Sequence, residues 1–257
     1  MNLNDPQLWK EKLPRKSPDG HKYTSGHLVI YGAPKLTGAT RLAATAAART
    51  GAGLVSVLAN PETAAIYRTS LPACILVRDE LSWASNKITT RVYGPGGLPC
   101  NIDFEKNIPT ILDAGALADL PERLSPDYLL TPHEGEFARL FPNLEGDRIK
   151  RAVQAAKHKN CYVLLKGPET VIASPDGHYI LNTHASPHLA TAGTGDVLAG
   201  LIGALAAQGM PLFDAACAGA WIHGECARIY GHGLIADDIP GLIPKVMNDL
   251  LQEKENV

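Results

Sequence analysis

Apolar residues in this chain gather into short β-rich runs that end on glycine or a polar residue, with alanine-rich stretches between some of them. His27-Leu28-Val29-Ile30-Tyr31-Gly32 is the first such run, a buried strand by its length and β-branched content. A loop over 34–38 leads into residues 39–50, which strongly favour helix. Gly51-Ala52-Gly53 stops that helix, and Leu54-Val55-Ser56-Val57-Leu58 makes a second strand. Strand, helix and strand in this order form the unit of a parallel sheet with a right-handed crossover. Further strands are predicted over 74–77, 91–93, 109–113, 128–131 and 162–167, then a hairpin of 170–173 with 179–181 around Pro175-Asp176-Gly177. Helices are predicted from Gly193 towards Gln208, over 214–230 and over 240–252; Pro132 and two acidic residues open another near 133. Residues 1–20, with Pro6, Pro14 and Pro18 among charges, read as an arm laid over the surface. The pattern holds no internal repeat or linker, so a single α/β domain over 1–257 with a mostly parallel sheet is expected.

Composition narrows the partners more than the fold. At 257 residues, 45% hydrophobic and 19% charged, the chain is an ordinary globular sequence of one large domain or two small ones. A formal charge of −2 offers no basic field, which argues against a nucleic-acid partner. Cys74, Cys100, Cys161, Cys217 and Cys226 are scattered, odd in number and never paired as C-x-x-C. That pattern opposes both zinc and a disulfide framework and reads as buried thiols in a reducing compartment. Residues 1–16 carry no apolar signal region, and no uninterrupted apolar run approaches membrane-spanning length. A soluble, cytoplasmic protein with no membrane partner is expected.

Candidate chemistry sits just after the predicted strands: Gly38-Ala39, the glycines at 94–97, Asp113, His133, Lys166 and Asp196. In a parallel sheet such ends converge on one rim, where open α/β sheets bind ligands. Neither a P-loop nor a G-x-G-x-x-G fingerprint is present. The most distinctive stretch is Ala190-Thr191-Ala192-Gly193-Thr194-Gly195-Asp196-Val197-Leu198-Ala199-Gly200, a glycine turn feeding an apolar helix. Backbone N–H groups at such a start lack intrahelical partners, and Gly193 and Gly195 allow them to wrap an anion. A carboxylate there repels phosphate. Asp196 makes chemical sense as a base taking the proton from a hydroxyl that is being phosphorylated; it makes equal sense, on this stretch alone, as an acid complementing the helix dipole. His133 either orients a substrate group or simply starts a helix. Lys166-Gly167-Pro168-Glu169-Thr170 is either a solvated turn or a nucleotide-contacting corner. His223, in apolar surroundings, reads as a satisfied packing histidine. No cluster has metal-site spacing.

In order along residues 21–230, these segments resemble the ribokinase-like superfamily and, within it, the NAD(P)H-hydrate dehydratase family. The carriers are His21-Lys22-Tyr23, Thr37-Gly38-Ala39, Gly51-Ala52-Gly53-Leu54-Val55, Gly94-Pro95-Gly96, Leu130-Thr131-Pro132-His133-Glu134-Gly135-Glu136, Leu165-Lys166-Gly167 and the Leu189–Gly200 stretch. The resemblance implies a three-layer α/β/α fold around the sheet. It also implies nucleotide-dependent dehydration of hydrated NADH or NADPH, with Mg²⁺ and ADP or ATP as co-substrate. Residues Lys166, Gly167, Pro168, Glu169, Thr170 and Gly195 would contact the nucleotide, and Gly193, Thr194 and Gly195 would hold the transferring phosphoryl. Ala39, Gly96 and His133 would contact the hydrated cofactor, with Asp196 as base and Mg²⁺ carried by the nucleotide rather than a protein cage. It further implies a homotetramer, with a separate epimerase because 1–20 are too few for one. The chain departs from the family at Gly115, where a second aspartate is usual, at Ala192, usually glycine, at Ser186-Pro187-His188, and in a short 97–109 segment with little room for a helix. A vitamin-precursor kinase of the same superfamily and a nucleotide-binding member without turnover stand as alternatives.

Overall fold

The computed structural model of the chain describes residues 2–80, 87–104 and 108–252. Its strands are β1 (His27–Tyr31), β2 (Leu54–Leu58), β3 (Ile75–Arg78), β4 (Thr90–Tyr93), β5 (Thr110–Leu112), β6 (Tyr128–Leu130), β7 (Tyr162–Leu165), β8 (Thr170–Ala173) and β9 (Tyr179–Asn182). They form one sheet in the order β3-β2-β1-β4-β5-β6-β7-β8-β9. Pairing is parallel from β3 through β7, and antiparallel at β7–β8 and β8–β9. The helices are α1 (Thr37–Arg49), α2 (Pro61–Ser70), α3 (Glu134–Leu140), α4 (Arg148–Lys159), α5 (Thr194–Ala207), α6 (Leu212–Tyr230) and α7 (Ile239–Gln252).

Side chains alternate across the sheet, and both faces are apolar because both are covered. Leu28, Ile30, Val92, Ile111, Leu129 and Leu164 join a core with α1, α5, α6 and α7. Their neighbours Val29, Tyr31, Tyr93, Leu112, Leu130 and Leu165 join a second core with α3 and α4. The result is the expected three-layer α/β/α arrangement. Helix α5 is buried along most of its length, and small residues let α1 come close: a Cβ on Gly200 would lie 2.0 Å from the Ala43 carbonyl oxygen.

The N-terminal arm does more than lie on the surface. Asn4 N donates to the Leu181 carbonyl at 2.8 Å and Leu181 N to the Asn2 carbonyl at 2.7 Å, so the arm covers the β9 edge. Trp9 and Leu13 are buried in the first core, and the Trp9 indole N–H donates to Asn4 Oδ1 at 2.9 Å.

Three sequence readings change. Helices α2 and α4 were not anticipated, although Asn60 and Asp147 cap them in the expected manner, with side chains accepting from Thr63 N and Lys150 N. Nor are all the cysteines buried: the five are free, but Cys74 and Cys100 are exposed. Cys74 lies in the turn before β3 rather than in the strand, and Cys100 in the irregular segment after β4. That segment carries no helix over 98–104, and the rest of it, 105–107, lies outside the described residues. Among the described residues no helix is long and apolar enough to cross a membrane.

Candidate active site

Strand order reverses beside β1: the chain runs outward through β2 and β3, then returns to place β4 on the other flank. A crevice at the carboxyl ends of β1 and β4 is the geometric consequence. Its walls are the first turn of α1 and the loop after β4. Thr40 stitches them together, accepting from Ala33 N at 2.9 Å and donating to the Pro95 carbonyl at 3.0 Å. Gly96 has φ +80°, and a Cβ there would meet the Leu36 carbonyl oxygen at 2.3 Å and Ala39 Cβ at 3.0 Å. Ala39 and Gly96, named separately from the sequence, are therefore neighbours where the two walls meet. Behind them a short turn (Ala114–Leu117) follows β5, and Gly115 there sits so close that an added Cβ would lie 3.0 Å from Gly97 Cα.

Further along the rim the chemistry becomes electrostatic. Asp113, at the end of β5, is 2% exposed and accepts from Lys166 Nζ at 2.8 Å and Thr131 Oγ1 at 2.7 Å, both at Oδ1. Lys166 follows β7, and its ammonium lies against the start of α5: a Cβ built on Gly195 would be 3.2 Å from Nζ. A buried carboxylate thus holds a lysine at a helix N-terminus, where cation and free N–H groups together favour an anion. Gly193 supplies the turn into α5 with φ +90°.

Asp196 occupies the first turn of α5, half-buried, and makes no hydrogen bond or ion pair among the described residues. Burial first, then the negative charges of Asp113 and Glu136, raise its pKa to about 7 against the pull of Lys166. His133 caps α3, its Nδ1 accepting from Gly135 N at 3.0 Å, while Glu136 Oε2 accepts from His133 N at 2.8 Å. The His133 ring itself is exposed at the rim.

On the other side of the α5 N-terminus lies a cavity of about 550 Å³. Lys166, Gly167, Pro168, Thr170, Thr194 and Gly195 line it, so most of the residues assigned to the nucleotide share one wall. Glu169 is exposed at the tip of the corner and Gly193 lies behind the helix start; neither lines it. Arg148 braces the corner, donating through Nη2 to the Leu165 and Lys166 carbonyls at 3.2 and 3.0 Å and through Nη1 to Glu134 at 2.7 Å. Arg148 was missed because its partners lie on two other elements, α3 and the end of β7.

The opposite wall comes from the loop after β9, including Ala185, Ser186 and Pro187, and from α6 through Ala220 and His223. The packing role read for His223 needs correction. The ring is 6% exposed, but its Nε2 has no partner and the residue lines the cavity. Among the described residues no group of three or more His, Cys, Asp or Glu side chains could hold a metal ion. Asp113, whose Oδ1 is taken up by Lys166 and Thr131, and Asp196, in the first turn of α5, are carboxylates beside the cradle. One or two carboxylates beside a phosphate site suit Mg²⁺ delivered on a nucleotide, which keeps most of its ligands as phosphate and water.

A layered sheet with a switch-point crevice, an anion cradle at a buried helix start and an adjacent carboxylate define a ribokinase-like protein. Over residues 27–232 the chain matches the family described as NAD(P)H-hydrate dehydratase, and it belongs to that family. It is 37% identical to the bifunctional NAD(P)H-hydrate repair enzyme Nnr of Moorella thermoacetica, over 96% of this chain and 54% of that protein. The chain thus spans about half the length of the bifunctional relatives it matches. It is 35% identical to the ADP-dependent (S)-NAD(P)H-hydrate dehydratase of Neisseria meningitidis, over 92% of this chain and 88% of that one. Among solved structures, the Bacillus subtilis ADP/ATP-dependent NAD(P)H-hydrate dehydratase co-crystallised with ATP/Mg²⁺ superimposes with a TM-score of 0.82 at 29% identity, covering 96% of this chain and 98% of that one.

Proposed function

We propose that this chain dehydrates (S)-NADHX or NADPHX to NADH or NADPH at the cost of ADP or ATP. The observation that carries this reading is Asp196: an unpaired, half-buried carboxylate with a pKa raised to about 7, one residue from a glycine that lines the anion cradle. A carboxylate of that basicity is matched to accept a proton near neutral pH. The nucleotide lies in the cavity, its terminal phosphate at the Gly193–Gly195 turn and Lys166. The hydrated cofactor lies in the crevice of Ala39, Gly96 and His133. Asp196 accepts the proton as the ring hydroxyl attacks the terminal phosphorus, and AMP or ADP leaves. The ring nitrogen lone pair then expels phosphate with cleavage of the C–O bond, and loss of a ring proton restores the dihydropyridine. Mg²⁺ carried on the nucleotide beside Asp113 and Asp196 would supply neutralisation of the charge developing on the phosphates.

The free cysteines suit a reducing compartment, which favours a cytoplasmic location. The test mixes purified protein, hydrated NADH, Mg²⁺ and each nucleotide and follows the return of reduced-nicotinamide absorbance. A stable phosphomonoester with no such absorbance would make the protein a kinase and refute the proposal.

A further inference from the structure

The cavity that the nucleotide reading fills has unlike walls. The 166–170 corner is braced by Arg148, and the start of α5 belongs to a helix buried along most of its length. The facing wall is a loop: Ala185, Ser186, Pro187, Leu189 and Ala190 line the cavity between the end of β9 and the turn at Gly193. A surface loop makes a fixed wall only where its ends are held. Thr194 holds the downstream end, its hydroxyl donating to the Leu189 carbonyl at 2.9 Å and the Thr191 carbonyl at 3.1 Å. The upstream end is held through His184, which does not itself line the cavity. Trp221, Gly224, Glu225 and Arg228 form one stripe of α6, and the first three meet His184. The imidazole stacks on the Trp221 ring, with centroids 4.3 Å and planes 8° apart. Its Nε2 lies 2.8 Å from Glu225 Oε2. Arg228 donates to both Glu225 oxygens, at 2.8 and 2.7 Å, and with His184 holds that carboxyl below its ordinary range. Glu225 is therefore ionised and only accepts, so His184 Nε2 carries the proton. A Cβ on Gly224 would lie 2.0 Å from the His184 carbonyl oxygen, so glycine there lets the loop backbone rest on the helix. That carbonyl accepts from Asn182 Nδ2 at 3.1 Å, and Asn182 Oδ1 accepts from Asn4 Nδ2 of the N-terminal arm at 2.8 Å.

We propose that His184 is a positioning residue for the nucleotide: fastened to α6 by its stack and its hydrogen bond, it fixes the 185–190 wall in the form that receives the ligand. The proposal rests on the nucleotide reading above and deepens it. The wall confers affinity only while it stands in place, and a protein whose competent form is populated about a tenth of the time binds about tenfold more weakly. Losing an aromatic stack and a hydrogen bond to a carboxylate is enough to bring a surface loop to that population. Asp196 lies on the other side of the α5 start, so the chemical step should not follow the change in affinity.

Calorimetric binding of ADP with Mg²⁺ and without the hydrated cofactor, read beside steady-state turnover, tests the assignment. His184→Ala should raise the ADP Kd and the nucleotide KM about tenfold while kcat stays within about twofold. Without ligand, hydrogen exchange at the His188, Leu189 and Ala190 amides, which are bonded inside the loop, should quicken by a similar factor. His184→Phe keeps a flat ring for Trp221 and leaves Glu225 its Arg228 partner, so it should recover most of the affinity. A histidine serving stability alone would lower the melting temperature and leave the ADP Kd and the loop exchange of the folded protein unchanged, which overturns the assignment. A kcat that falls as far as the affinity, or no recovery in His184→Phe, overturns it as well, while the nucleotide site stands. Wild-type protein that binds no ADP would overturn the nucleotide reading and this proposal with it.

Discussion

Replacing Asp196 by asparagine should make the protein more stable while removing its activity, and the size of the gain follows from the site. Asp196 is held at about 7 against an ordinary value of 3.8. Between those two pH values the folded chain keeps a proton that the unfolded chain has released, so wild-type stability falls as pH rises through the window. Above about 7 the folded protein holds a half-buried, ionised carboxylate with no hydrogen bond, and the full penalty is present. At 1.36 kcal/mol per unit the displacement is worth about 4 kcal/mol, or roughly 2–4 kcal/mol once solvent screening at a half-buried group is allowed for.

Asparagine has nearly the same shape and does not ionise. Asp196→Asn should therefore melt roughly 5–10 °C above the wild type at pH 8.5, by the usual scaling for a chain of this size. The gap should close as pH falls towards the ordinary aspartate range. Urea unfolding followed by circular dichroism at several pH values measures it directly. In parallel, wild-type kcat/KM should fall on the acid side with a midpoint near 7, since the proposed base works only when ionised. A variant no more stable than wild type at pH 8.5, or a stability difference independent of pH, would refute the electrostatic account of the base.

The remaining predictions probe the groups around it. Lys166→Met leaves the buried Asp113 with only the Thr131 hydroxyl, so stability should drop by roughly 3 kcal/mol in denaturant titrations. The same change removes the charge that holds the Asp196 pKa down, so the acid limb of any residual activity should move to higher pH. Gly96→Val forces a side chain into the Leu36 carbonyl at positive φ; turnover of the hydrated cofactor should be lost while ADP affinity, measured calorimetrically, stays within about twofold. Arg148→Leu unbraces the Leu165 and Lys166 carbonyls and should weaken nucleotide binding about tenfold with kcat changed less than KM.

The sheet was legible because its strands are apolar on both faces and end on glycine or charge, a pattern that survives without tertiary information. Ala39, Gly96, Asp113, His133 and Lys166 were legible for the same reason, since parallel strands carry their ends to one side; Asp196 follows no parallel strand, and the start of α5 brings it there. Helix α4 was missed despite the cap at Asp147 because attention to apolar runs passes over a helix whose buried face is three alanines. Other features depend on partners far along the chain. The Asp113–Lys166 pair joins residues 53 apart, and Arg148 bridges α3 to the end of β7. His223 looked like a core residue because its ring is buried; only the meeting of α6 with the loop after β9 turns that burial into a cavity wall.

Two readings of an aspartate in the first turn of α5 were open, and the upward direction of its pKa shift favours the proposed one. An acid placed to complement the helix dipole is stabilised as the anion and falls below its ordinary value, by an energy of about 0.3–1 kcal/mol. Such an acid also commonly reaches back to the capping backbone N–H, whereas α5 has no side-chain cap and Asp196 makes no such bond. Here the shift is upward and several times larger than the dipole can oppose. Burial and two neighbouring carboxylates are arranged against the charge, which is a cost to folding with no structural return. Under the proposed function, its proton affinity is what the site uses. Lys166 sets the limit: drawn towards a phosphate bound as proposed, it would pull less on Asp196 and raise the proton affinity of the proposed base as the nucleotide arrives.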